Sequence, residues 1–214
     1  MTGSKTLQQR VDPCLREKMP LLNEVVEKHR AQRPFTGVVI LLIQHQLQDS
    51  YGQISALIEL GAAPADIHWI DIPYTSFASV RESIQHDFGI PERNFRVSSY
   101  NLDLPYREHQ HRRITQWLTE CSALLAHRRL LVIDDGAYFL EGLSRSNTVP
   151  PRLSIVEQSQ TAVKRLRAES LFSDYLQQFP IVNVAESEPK KVLESPMIAR
   201  AIGDALHEAV APRL

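Results

Sequence analysis

Polar clusters of acid–base character follow each apolar run of this chain. Val38–Ile43 (VVILLI) runs into Gln44-His45-Gln46, with Asp49 just beyond. Asp71 closes the run IHWID, and Tyr74-Thr75-Ser76 lie after it. Leu130–Ile133 leads to Asp134-Asp135-Gly136, Leu153–Val156 to Glu157-Gln158-Ser159, and Ile181–Val184 to Glu186-Ser187 and then Lys190-Lys191. An imidazole, carboxylates and an amine converging on one crevice would make a general acid–base set. Lys190 falls in the first turn of a helix pattern, where the dipole field disfavours a cation and favours either a neutral amine or an anionic neighbour. Bland readings stand beside these. His45 reads equally as a hydrogen-bonded loop histidine, Asp49 and Ser187 as helix N-caps, and Lys190 and Lys191 as solvated cations. Adjacent carboxylates at a buried strand end favour Asp135 as a ligand contact.

Convergence depends on the elements that carry these residues. Strand-like runs cover Gly37–Ile43, Ile67–Ile72, Asn94–Ser98, Leu130–Ile133, Leu153–Val156 and Ile181–Val184. Helix-spaced stretches cover Pro13–Arg33, Asp49–Leu60, Thr75–Asp87, Tyr106–His127, Ser159–Gln177 and Ser187–Val210. Such alternation predicts βαβ units and a parallel sheet. Runs as continuously apolar as GVVILLI and LLVI suit strands buried on both faces. The expected fold is one α/β domain over residues 1–214, Rossmann-like or flavodoxin-like, with a mostly parallel sheet flanked by helices and a flexible segment over 1–16. Ligands on such sheets bind beyond the carboxyl ends of the strands. Glu141–Arg152 reads as a polar loop around its Pro-Pro pair. His109, His111, Arg112 and Arg113 read as a solvated basic face, since no companion acid or cysteine gives them metal-ligand spacing. The last helix carries an apolar stripe at Val192, Leu193, Ile198, Ile202, Leu206 and Val210, which serves core packing or an interface equally well.

Composition removes several classes of function. Lys plus Arg is 24 and Asp plus Glu 25, for a formal net charge of −1. That balance argues against nucleic acid or an anionic membrane as the main partner. The longest apolar run, six residues, is far short of the ~20 of a membrane helix. MTGSKTLQQR has no apolar signal core, so a cytoplasmic location is expected. Cys14 and Cys121 lie far apart and read as reduced thiols or packing residues. No two of the eight glycines are closer than six residues. Neither a G-x-G-x-x-G turn nor a Walker A loop can be written on this spacing.

Five segments in order (KMPLLNEVVEKHRAQRPFTGVVI, QHQLQDSYGQISALIELGA, VIDDGAYFL, VEQSQTAVKRL and IVNVAESEPKKVLES) resemble the substrate-binding domain of the S-adenosylhomocysteine hydrolase family, from about Glu17 to about Ala201. The resemblance implies that His45, Asp135 and Lys190 fall on the family's active-site histidine, aspartate and lysine. It implies ligand-binding positions at Asp49, Glu157, Gln158, Ser159 and Glu194. Departures are visible as well. Asp49 stands for a glutamate that holds adenine, Leu47 for a threonine, and Gln158 for a ribose-binding glutamate. Glu194, Ser195 and Ala199 stand for an aspartate, an asparagine and a cysteine.

The family's reaction runs through a 3′-ketone made by NAD on a second domain, and no NAD is expected to bind this chain. Without that ketone the 4′ C–H of a nucleoside is not acidic enough. General acid–base help of ~10²–10⁴-fold does not replace carbonyl activation, which is the cofactor's contribution. The expected function is therefore binding of an adenosyl or related small polar ligand, with divergent, NAD-independent acid–base chemistry. The alternatives are a non-catalytic nucleoside-binding sensor and the substrate half of a split hydrolase. Nucleic acid and membrane are not expected as partners, and no metal site is. Assembly into homo-oligomers is implied by the resemblance.

Overall fold

A computed structural model describes residues 15–98, 100 and 103–210. Its centre is a six-stranded, all-parallel sheet: β1 Val38–Gln44, β2 Ile67–Asp71, β3 Phe95–Arg96, β4 Arg129–Asp134, β5 Leu153–Glu157 and β6 Ile181–Asn183, in spatial order β3-β2-β1-β4-β5-β6. Every residue of β1 is buried. Its alternate side chains face opposite ways, with Val39, Leu41 and Ile43 in one core and Val38, Ile40 and Leu42 in the other. This is the Rossmann-like α/β domain expected from the apolar runs.

The order reverses between β1 and β4. The chain travels outward through β2 and β3, then returns to the far side of β1, which opens a crevice beyond the carboxyl ends of that pair. Ladder contacts extend right to the tips. Asp135 N donates to Ile43 O at 3.0 Å and Gln158 N to Asp134 O at 2.9 Å, so the residues after β1, β4 and β5 emerge at one level.

Helices flank the sheet: α1 Pro20–His29, α2 Gln48–Glu59, α3 Ala78–Phe88, α4 Tyr106–Glu120, α5 Ser122–Leu125, α6 Tyr138–Leu143, α7 Gln160–Ala168, α8 Leu171–Leu176 and α9 Ser195–Val210. None of the described helices is long and apolar enough to cross a membrane.

Several expected elements are corrected. The continuous helix over Pro13–Arg33 is a 3-10 turn at Leu15–Lys18, α1 starting at Pro20, and a second 3-10 turn at Arg30–Gln32. Pro20 lacks an N–H and disfavours helical backbone at Met19, which breaks the pattern there. Residues 1–14, with Cys14, lie outside the described residues, whereas Arg16 is fixed by Glu59 at 3.1 Å. Tyr106–His127 divides into α4 and α5 at Cys121, and Ser159–Gln177 into α7 and α8 at Ser170, whose φ is 60°.

Glu141–Arg152 is not polar loop throughout. Its first three residues complete α6 and are buried. Gly142 belongs there because a side chain would strike Ile114 of α4 at 2.7 Å. The basic face is corrected too. His111 is buried against Glu141, and Arg113 pairs with buried Asp71 at 2.5 Å.

Candidate functional site

At the carboxyl ends of β1, β4 and β5 lies a cavity of about 430 Å³, walled by His45, Asp49, Asp135, Gln158, Lys190 and Glu194. Met19 and Leu22 close it from the α1 side, with Gln44, Leu47, Ser50 and Gln53 completing the wall. Six of the eight site positions picked out by the sequence thus share one hollow.

His45 leaves the tip of β1, and its ring meets the Tyr74 ring edge-on at 5.2 Å. Burial lowers its pKa, only partly offset by the Asp135 carboxylate, the Ile72 backbone and Asp49. Its dominant form at neutral pH is the uncharged imidazole, able to take a proton. Asp135 is presented by a strained turn. Gly136 has φ 148°, where a side chain would also collide with the Tyr138 ring, and Ala137 has φ 57°. Left-handed backbone at a non-glycine costs of order ~1–3 kcal/mol, so something must hold the turn.

Glu157 holds it. The resemblance implied ligand contact for Glu157, but its side chain points inward and stays out of the cavity wall. It accepts hydrogen bonds from Ala137 N at 2.9 Å and Ser159 N at 2.7 Å. Ser159 likewise turns away, its Oγ capping α7 through Ala162 N at 3.3 Å. These two residues shape the turns beside the cavity. Asp134 is the register partner of Glu157 and accepts from Phe139 N at 2.7 Å. Burial, reinforced by Glu157, raises its pKa well above the usual carboxylate range. Glu157 is itself pushed up to about 7 by burial.

The remaining wall is polar. Gln158 Oε1 accepts from Gln44 Nε2 at 2.5 Å. Lys190 and Glu194 bracket a π-helical turn just before α9 and pair at 3.2 Å, so the anionic neighbour that Lys190 calls for is supplied four residues on. Turns of this kind recur at functional sites. Asp49 does not cap α2. Leu47 occupies that position, and Asp49 sits in the first turn, accepting from its neighbour Ser50 N at 3.0 Å. Of the other candidates, Asp71 is spent on Arg113 and Glu186 on Arg167 at 2.8 Å.

Sequence reasoning missed Met19 and Leu22 as wall residues. For Met19 the signal was Gly52 inside α2, whose missing side chain leaves the space that Met19 fills. A glycine inside a helix pattern marks such a close approach.

No family model matches the chain. It is 22% identical over 193 residues to the adenosylhomocysteinase of Thermosynechococcus vestitus and 24% identical over 193 residues to that of Nostoc, in each case across 88% of this chain and 40% of the relative. The chain is similar to adenosylhomocysteinases. An uncharacterised protein of Mycobacterium tuberculosis is 24% identical over 182 residues, 84% of this chain and 34% of its own length. The chain therefore spans about 40% of the adenosylhomocysteinases it matches. Over that span it is a related domain.

Proposed function

We propose that this domain binds an adenosyl-type nucleoside or a related small polar molecule in the strand-end cavity and acts on it by NAD-independent acid–base chemistry. The observation that carries the reading is the meeting of His45, Asp135 and Lys190 on one 430 Å³ hollow in a domain related to adenosylhomocysteinases. Neutral His45 takes the proton, Asp135 orients the imidazolium that forms, and Lys190 faces negative charge developing on the ligand. Hydroxyls and ring nitrogens find partners at Asp49, Gln158 and Glu194.

A dinucleotide does not fit the chain's own turns. The β1–α2 turn, His45 to Leu47, holds no glycine, and Asp49 would set a carboxylate against a diphosphate at the N-terminus of α2. The only glycine at the β4–α6 turn is Gly136, and the Tyr138 ring crowds it.

A second reading, retention of the ligand without turnover, is favoured by the Gln44–Gln158 pair, neutral where the resemblance implies a carboxylate. One experiment separates the two. Calorimetry with adenosine, S-adenosylhomocysteine and S-adenosylmethionine is followed by chromatography of each mixture after incubation. Binding of at least one, weakened ten-fold or more by Asp135→Asn and by His45→Ala, supports the site. Product formed by the native protein and lost in His45→Ala supports chemistry, and binding without product supports the second reading. Absence of heat with all three removes nucleoside binding.

A further inference from the structure

A second meeting of reactive groups lies at the edge of the sheet. Ser98 follows β3, and His109 sits in the first turn of α4. Ser98 Oγ and His109 Nε2 are 2.6 Å apart. Both border a cavity of about 480 Å³ whose wall also holds Val97, Arg113 and Trp117. Its described wall shares no residue with the strand-end hollow.

Each group is held from outside that cavity. The Tyr100 ring packs on His109 at 5.3 Å, and its hydroxyl donates to Leu104 O at 2.9 Å. Buried Asp71 grips Arg113 at 2.5 Å and lies 3.5 Å from Ser98 N, so one carboxylate steadies both. His109 and Arg113 are four residues apart on α4 and share a face. Burial lowers the His109 pKa, Arg113 lowers it further, and Asp71 offsets only part of this. The uncharged imidazole therefore prevails at neutral pH, and Nε2 can accept the serine proton. A hydroxyl within reach of a neutral, oriented imidazole is the arrangement of an activated nucleophile. A bond that merely tied a loop to a helix would need no cavity beside it.

We infer that Ser98 and His109 form a second reactive centre, one that hydrolyses small carboxylic esters through an acyl-serine. Ser98 Oγ attacks the carbonyl carbon while its proton passes to His109 Nε2. The bond to the alcohol oxygen breaks, and His109 returns the proton to that oxygen. Water then attacks the acyl-serine by the same route, releasing the carboxylic acid and restoring the serine hydroxyl. Water is the only co-reactant, and nothing is oxidised or reduced. Arg113 places positive charge in the wall where the carbonyl oxygen becomes anionic. Val97 and Trp117 offer apolar surface to a short acyl chain. The cavity lies within the ~300–1,000 Å³ range of small-molecule sites. None of this requires nucleoside binding at the other cavity.

Phenylmethylsulfonyl fluoride and p-nitrophenyl acetate, each incubated with the full chain, test it. Intact mass should show one added sulfonyl group, mapped to Ser98 by peptide masses. Hydrolysis of the acetate should saturate, and it should stop once the label is on. Ser98→Ala and His109→Ala, with circular dichroism unchanged, should each slow hydrolysis a hundred-fold or more. Arg112→Ala, exposed on the same helix, should leave it as it was. A thiol gives a further readout. Ser98→Cys should react with iodoacetamide at least ten-fold faster than Ser98→Cys/His109→Ala, the native chain's own thiols being subtracted. A native chain that takes no label and cleaves the ester no faster than buffer overturns the inference. So do label and turnover that survive Ser98→Ala, and equal iodoacetamide rates in the two thiol variants.

Discussion

Two groups in this domain contain a histidine, a carboxylate and a cation, and they have opposite fates. In one, Glu141 accepts from His111 at 2.6 Å, Arg165 at 2.6 Å and Arg107 at 3.1 Å. Its burial works to raise the carboxyl pKa, but the bonds from His111, Arg107 and Arg165 outweigh it and bring the value down to about 2. In the other, His45, Asp135 and Lys190 border a hollow, and Lys190 pairs with the half-exposed carboxylate of Glu194. Residue type does not tell them apart. Surroundings do: a carboxylate whose lone pairs are all taken by its own chain ties helices together, whereas groups in a cavity wall face the space that a ligand would fill.

The largest expected effect lies on the saturated side. Glu141→Ala would leave buried His111 and two arginines facing an empty space, and removing one member of a buried ion network costs about 3–5 kcal/mol. Urea unfolding should show that loss. Asp135→Asn, although it disables the other group, should change stability by no more than about 0.5 kcal/mol. Comparable losses in the two variants would erase the distinction.

Which group is which was only partly legible in the sequence. The sheet was legible because VVILLI and LLVI admit no face for water, and a parallel sheet then dictates where its tips gather. That reasoning reached His45, Asp135 and Lys190. The pairing of His111 with Glu141 was not legible, because it spans 30 residues and depends on a six-residue helix hidden in a polar-looking stretch. Glu157 misled for a different reason. Its position at a strand tip is what a ligand contact needs, but the direction of its side chain follows from the strained Gly136-Ala137 turn, which only the backbone reveals. The exposed face of α9 is equally a matter of where a helix leaves the sheet, not of its pattern.

Between these extremes stands the buried pair Asp134 and Glu157, with an effect of opposite pH sign to that of Glu141. A carboxyl held near 2 stabilises the fold above its ordinary pKa of 4.5, and that stability is lost as pH falls through 4.5 toward 2. A carboxyl raised to about 7 does the reverse: its contribution is complete below 4.5 and is lost as pH rises from 4.5 to 7. This pair should therefore cost on the order of 1–3 kcal/mol of stability across that interval. Glu157→Gln keeps the shape and one acceptor oxygen of the side chain and removes the buried carboxyl that burial pushes up to about 7. Unfolding free energies at half-unit steps from pH 5 to 8 should fall in the native protein and flatten in the variant. Equal slopes would mean that Glu157 does not carry this pH dependence.

The smallest stability effect belongs to Lys190. Its contact with Glu194 joins residues four apart at a solvent-facing position, and such a pair is worth ~0.3–0.5 kcal/mol at most. Lys190→Met keeps the length and apolar stem of the side chain while deleting the charge, so the unfolding midpoint should barely move. Ligand binding is where the charge should matter. The Met variant should lose affinity for an anionic analogue such as adenosine 5′-monophosphate by several-fold more than for uncharged adenosine, because only the anion gains from the ammonium. The same substitution at Lys191, which is exposed outside the cavity wall, should leave both affinities unchanged. Equal losses for the two ligands, or equal effects at the two lysines, would return Lys190 to the class of solvated helix cations and leave His45 and Asp135 to act without it.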